Sequence, residues 1–288
     1  MPESPEPIFY RGVDLLLGRA KTFLIIGFIG AVAAIGISYL VTPVFRAEAI
    51  LVPSDEILGI GENAQGGALG GLASLVGAGS GAVNKETEAV TVMKSRGLTY
   101  AYIQTNNLLP ILFPTKWDAT AQNWKKGSDN KTPTLEDGFM VFDKTIRTVV
   151  ENRKNGLITI AIIWKDPLLA KRWVDGIIAA TNELLRHQAL DRSNKNLAYL
   201  QQAADKAASV EVKSAIYKLM EAEIKKNMTA LGSNEYAFRV IDAAVVPEHK
   251  SAPKRIAYAA FGSVISCILW LLVVSIRNRL KIIYSSRQ

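Results

Sequence analysis

The sequence has one cysteine, Cys267, so no disulfide can form within the chain. Its two histidines, His187 and His249, lie far apart, and there is neither a cysteine cluster nor an H-E-x-x-H pair to hold a metal. G-x-x-x-x-G-K-S/T is absent, which removes a P-loop nucleotide site, and so is the G-x-S-x-G nucleophile elbow. Carboxylates such as Glu86 and Glu88 have the spacing of ordinary helix-surface charge. No catalytic, cofactor-binding or metal-ligating set is assigned. The chain is expected to act without catalysis, cofactor or nucleic-acid partner.

Charge is missing altogether from two long stretches, TFLIIGFIGAVAAIGISYLVTPVF over 22–45 and IAYAAFGSVISCILWLLVVSI over 256–276. About 20 apolar residues in a helix cross a hydrocarbon core of about 30 Å, so each stretch is long enough to span a bilayer. The first is too long for the core of a secretory signal. Cations close both, with Lys21 and Arg46 around the first and Arg255 and Arg277 around the second. Seven cations lie near the membrane in the two tails, against four on the other side, which favours cytoplasmic termini. Small residues recur every fourth position along each span, Gly30, Ala34 and Ser38 in one, Ala259, Ser263 and Cys267 in the other. That spacing lets helix backbones approach closely, so the spans are expected to pack together.

The chain thus divides into a tail over 1–21, a transmembrane helix over 22–45, an extramembrane domain over 46–255, a second transmembrane helix over 256–276 and a tail over 277–288. The domain opens with an extended run, FRAEAILVP. A glycine-rich segment follows, GGALGGLASLVGAGSGA over 66–82, in which Gly77, Gly79 and Ala82 satisfy a loose G-x-G-x-x-A pattern. It lacks the strand–helix context of a dinucleotide loop. Its seven glycines, at about 1 kcal/mol each in a helix, count against a third span. A compact turn of helix is expected there, with Leu69, Leu72 and Val76 facing one way to pack against neighbouring subunits or the membrane surface. Asn84 is placed to cap one helix running through ETEAVTVMKSRGLTYAYIQ. Residues 110–133 are poorly patterned and predict an irregular segment in which Trp117 and Trp124 act as local packing anchors.

Farther on, Arg147–Asn152 and Leu157–Trp164 predict a hairpin turning at 154–156. LITIAIIW is apolar nearly throughout and predicts a central strand covered by helices. Asp166 and Pro167 then open a helix of about 35–40 residues. Its apolar stripe, Trp173, Val174, Ile177, Ile178, Thr181, Leu184 and Leu185, is expected to lie on the sheet, with Trp173, Ile177 and Leu184 as packing residues. Its middle, HQALDRSNKN, reads as a polar zone before helical contact resumes at Leu197 and Leu200. A second helix over about 210–231, with Val212, Ile216, Leu219 and Met220 on one side, completes a long hairpin. FRVIDAAVV returns as a strand, and Pro247, Pro253 and Arg255 form a stiff linker into the second span.

Four runs, in this order and at these places relative to the spans, resemble the Wzz-type polysaccharide co-polymerases, or O-antigen chain-length determinants. They are YRGVDLLLGRAKTFLII, FRAEAILVP, ITIAIIWKDPLLAKRW and FRVIDAAVVPEHKSAPKR, and LGGLASLVG is similar to a small-residue loop of such chains. The resemblance covers nearly the whole chain and is thinnest over 106–134. It implies an α+β fold in which two transmembrane helices flank a periplasmic α/β base carrying a long helical hairpin arm, about 167–231. It also implies a ring-shaped homo-oligomer in the bacterial inner membrane that sets the length of a surface polysaccharide (lipopolysaccharide O-antigen, capsule or exopolysaccharide). The partners it implies are the bilayer, a membrane polymerase and the growing glycan. One branch of the family carries a tyrosine kinase domain that has no counterpart here, which leaves a separate cytoplasmic kinase as a partner. The alternative expectation is an inner-membrane adaptor for polysaccharide export, coupled to a transporter and an outer-membrane channel.

Overall fold

The computed structural model describes residues 20–54, 78–125, 131–152 and 154–285. They fall into two compact units, one over residues 45–248 and one joining the segments up to 44 and from 249.

The first unit is built on a four-stranded antiparallel sheet in the order β4-β5-β1-β6. Its strands are β1 (Phe45–Pro53), β4 (Arg147–Asn152), β5 (Leu157–Trp164) and β6 (Phe238–Asp242). β5 is central, as its composition predicts, but apart from Ala161, which is also fully buried, its burial alternates. Ile158, Ile160 and Ile162 are fully buried, while Leu157, Thr159 and Ile163 are half-exposed, so helices cover one face. That is how an antiparallel sheet with a single covered face behaves. The β4–β5 turn closes through Gly156 at φ 67, a left-handed conformation that favours glycine.

Helix α6 (Pro167–Lys206) covers the sheet with its first half. Asp166 starts it, its carboxylate accepting from the Leu168 and Leu169 amides at 2.8 and 3.2 Å. Trp173, Val174, Ile177 and Ile178 enter the core with Ala47, Ala49 and Leu51 of β1 and Phe238 of β6. Leu184, expected among these packing residues, is only half-buried. Of the two leucines that end the expected stripe, the helix turns Leu185 into the core. Helix α7 (Val210–Gly232) follows Ser209, whose hydroxyl accepts from the Val212 amide.

The single helix expected after Asn84 is two helices. α2 (Ala78–Lys94) begins before Asn84, so Asn84 does not start it. It ends at Ser95, whose extended backbone and side chain cap α3 (Arg96–Thr105), the hydroxyl accepting from the Leu98 amide at 3.2 Å. A serine that bonds its own local amides competes with continuing the helix. Residues 106–125 are more ordered than expected. They form α4 (Leu109–Leu112) and a small hairpin, β2 (Trp117–Asp118) with β3 (Asn123–Trp124), closed by an edge-to-face contact of Trp117 and Trp124 at 4.9 Å. α5 (Leu135–Val141) runs through a π turn over Phe142–Ile146 into β4.

The second unit is a pair of helices, α1 (Ala20–Leu40) and α8 (Arg255–Ser285). Within them Thr22–Leu40 and Arg255–Arg277 are long and apolar enough to cross a membrane. The first span is shorter than the 22–45 expected. The helix ends at Leu40, since Pro43 restricts the residue before it, and Phe45 already belongs to β1.

Replacing Ile177, at 0% exposure, with Asp should destabilise the sheet unit by roughly 4 kcal/mol or more, the lost packing adding to a buried charge. Leu184→Asp should cost clearly less, because its side chain reaches water. Chemical denaturation of the two variants checks the order, and equal losses would contradict the helix rotation seen here.

Candidate functional site

Among the described residues no three His, Cys, Asp or Glu side chains gather as a metal site. His187 lies against Glu183 at 2.7 Å on the surface of α6, and His249 is exposed. What the fold builds is two helical contact systems and the tethers that hold them.

In the helix pair, Gly30 lies against Ser266 and Gly262, and a side chain on Gly30 would meet the Gly262 carbonyl at 2.7 Å. Gly262 in turn lies against Ala34, and Gly27 against Ser263 and Cys267. Ser266 donates to the Ile26 carbonyl across the pair at 3.1 Å. Close backbones joined by a hydroxyl are how membrane helices associate without a hydrophobic drive between them. Gly30, Ala34, Ser38, Ala259, Ser263 and Cys267 are each buried or half-buried in the pair. Gly27, Gly262 and Ser266 were missed, although Gly262 and Ser266 are themselves four apart. Several small-residue registers coexist in one span, and spacing does not choose among them.

The arm is the distal part of α6 with α7. Its inner seam carries Leu197, Leu200, Ile216 and Met220, half-buried, closed by Ala204 and Ala230, nearly fully buried. The stretch read as a polar zone is part of this contact. Ser193 is buried and donates to the Glu223 carbonyl at 3.1 Å, and Asn227 donates to Asn194 at 2.8 Å. Val212 and Leu219, expected beside Ile216 and Met220, are exposed, because the inner seam runs through 216, 220, 223, 227 and 230. A second apolar row remains on α7. Val210, Tyr217, Ile224 and Leu231 are seven residues apart and 77%, 54%, 46% and 63% exposed, and Met228 lies alongside.

Two polar residues that the sequence reading did not single out tie the sheet unit together. Asn182 is 4% exposed. Its side-chain oxygen accepts from the Ala237 and Phe238 amides at 2.9 and 2.8 Å, and its nitrogen donates to the Phe238 carbonyl at 3.0 Å. Arg147 is 5% exposed. It donates to the Met93 and Lys94 carbonyls at the end of α2, to the Thr99 hydroxyl in α3 and to Asp143. Burial lowers its pKa and Asp143 pulls it back up. A cation on the last carbonyls of a helix also suits the helix dipole. Beside them, Gly176 leaves room for the Tyr102 ring, whose buried phenol is pushed up to about 12, chiefly by desolvation.

Of the remaining expected residues, Trp173 and Ile177 are in the core. Pro247 lies in the sheet unit and Pro253 and Arg255 in the helix pair, both prolines half-buried. Leu69, Leu72 and Val76 lie outside the described residues.

A Cβ on Gly27 would sit 3.2 Å from the Cys267 sulfur. Gly27→Cys should therefore form a disulfide with Cys267 under mild oxidation, read as a gel shift after cleavage between the helices. Adding Gly30→Leu should abolish most of it, and an undiminished cross-link would contradict this packing.

The chain matches no protein-family model and no curated protein. Among solved structures it is similar to a full-length bacterial polysaccharide co-polymerase, with 14% identity and a TM-score of 0.38 over 93% of this chain and 96% of that one. A fragment of WzzB, a polysaccharide co-polymerase from Salmonella Typhimurium, shares 9% identity with a TM-score of 0.33 over 73% of this chain and 100% of that one. A mutant of the Shigella flexneri lipopolysaccharide O-antigen chain-length regulator shares 10% identity with a TM-score of 0.21 over 72% and 100%. These neighbours are Wzz-type polysaccharide co-polymerases; at such scores the likeness carries no argument of its own, and the functional reading rests on this chain's residues.

Proposed function

We propose that this chain is a non-enzymatic polysaccharide co-polymerase of a bacterial inner membrane, which sets the length of a surface polysaccharide from a periplasmic domain. The observation that carries this reading is the architecture. A close-packed helix pair at the chain ends brackets a sheet unit, and from that sheet a 40-residue helix continues into a hairpin. Of the four sequence runs that resemble Wzz-type chains, FRAEAILVP is β1, ITIAIIWKDPLLAKRW spans the turn from β5 into α6, and FRVIDAAVVPEHKSAPKR begins with β6.

In this reading the chain acts as a homo-oligomer, and the outer row of α7 is the contact between copies. A seven-residue apolar repeat matches a partner helix. Because α7 already uses an adjacent seam for α6, a further helix on the outer row extends the same packing sideways. Tyr217→Glu with Ile224→Glu should reduce the oligomer to monomer, read by light scattering in nanodiscs. Cells carrying that variant, or lacking the protein, should lose the modal polymer length on a gel. A retained modal length in cells lacking the protein would defeat the proposal, and polymer trapped in the periplasm would favour the export adaptor.

The segment from Pro247 to Arg255 is proposed to transmit between domain and spans. Pro247→Ala with Pro253→Ala should shift the modal length while the oligomer stays intact, since proline stiffens its own φ and restrains the residue before it. Unchanged length would leave these prolines as strand terminators only.

A further inference from the structure

The helix-pair segments 20–44 and 249–285 contain no Asp or Glu. At the end of the pair where Val44 bridges to Ala252, three cations are exposed, Lys250, Lys254 and Arg255. None has an acidic partner among the described residues. One of them is fixed in place, the Arg255 guanidinium carbon lying 4.0 Å from the centroid of the Tyr39 ring. A lysine or arginine that merely marks the end of a span lets its head swing into water and needs no platform. A guanidinium stacked on a ring has its plane set, and its N–H groups point outward in a fork that matches two oxygens of one phosphate.

From this end inward the exposed surface of the two helices is apolar. Leu40 and Ile256, the residues next to Tyr39 and Arg255, are 86% and 88% exposed. A free anion has no use for that wall, whereas an amphiphile has, with its head on the cations and its chain along the helices. We propose that Arg255, held by Tyr39 and flanked by Lys254 and Lys250, binds the phosphate headgroup of a membrane lipid whose acyl chain lies along Leu40 and Ile256. These residues fall in the segment proposed to link domain and spans, but the site does not rest on the polymer-length reading and would exist whichever pathway the protein serves.

The test uses the full chain in nanodiscs or mild detergent, with bound lipid counted by native mass spectrometry. The probes are phosphatidylglycerol, phosphatidylcholine and inorganic phosphate. The wild-type chain should retain phosphatidylglycerol about tenfold more tightly than phosphatidylcholine, and inorganic phosphate at equal concentration should not displace it. Arg255→Lys keeps the charge and loses the fork, and Tyr39→Leu keeps the charge and loses the platform. Each should weaken retention by about fivefold or more. Arg277→Ala, at the opposite end of the apolar stretch of α8, should leave retention of this lipid unchanged. The Gly27→Cys cross-link to Cys267 reports that the helix pair is intact in every variant. The proposal is overturned if Arg255→Lys and Tyr39→Leu bind as the wild type does, which would mean unspecific charge attraction. It is also overturned if phosphatidylcholine binds equally, or if inorganic phosphate displaces the lipid and makes the site one for the free ion.

Discussion

The two ends of the arm are tied together at the sheet by one amide side chain. Asn182 sits where α6 leaves the sheet, and the chain then runs out along α6, back along α7 and into β6. All three hydrogen bonds of Asn182 go to the backbone of Ala237 and Phe238, where β6 begins. The root of the arm is thus closed by polar contacts that an apolar side chain cannot replace. Losing them would strand two amides and a carbonyl in a buried place, at about 1–3 kcal/mol for each group left unsatisfied. β6 is an edge strand held on one side by β1, so its position depends on this tether more than that of any other strand.

Arg147 plays the corresponding part at the other edge of the sheet. Its guanidinium gathers the end of α2, the start of α3 and the π turn that feeds β4. The Ser95 break leaves two short helices where a longer one would be self-supporting, and a buried cation on the α2 carbonyls compensates. Burying this charge is tolerable because the two terminal nitrogens donate to four acceptors, two backbone carbonyls, a hydroxyl and a carboxylate.

Sequence reading succeeded where the determinant is local and failed where it is distant. Asp166 and Pro167 cap a helix with atoms two and three residues away, and LITIAIIW carries its own strand preference, so both were legible. The Ser95 break was local too, and the apolar spacing shows it: Ala89, Val92 and Met93 share one helix face, whereas Leu98 falls on the opposite side, a change of phase that the sequence reading passed over. Asn182 and Arg147 were illegible because their backbone partners lie more than 50 positions away. HQALDRSNKN looked like a solvent gap since polarity normally marks exposure, but Ser193 and Asn194 find partners on α7. The inner face of α7 was misassigned for the same reason. Glu223 and Asn227 occupy seam positions that apolar counting passes over. The two long apolar helices were legible from the absence of charge alone, whereas their mutual register needed the backbone contacts.

Helix α6 contains no glycine or proline from Ile177 to its end at Lys206, so nothing along that length invites a kink. The part beyond Asn182 is 24 residues, about 36 Å of stiff rod at the usual rise. Rooted in the sheet unit at one end, it works as a lever with its fulcrum there. A tilt of about 5° at the fulcrum displaces the tip by about 3 Å on that length, close to the spacing of neighbouring residues along a strand. A disturbance too small to break any core contact would therefore reach the far end of the arm as a shift large enough to change which side chains meet there.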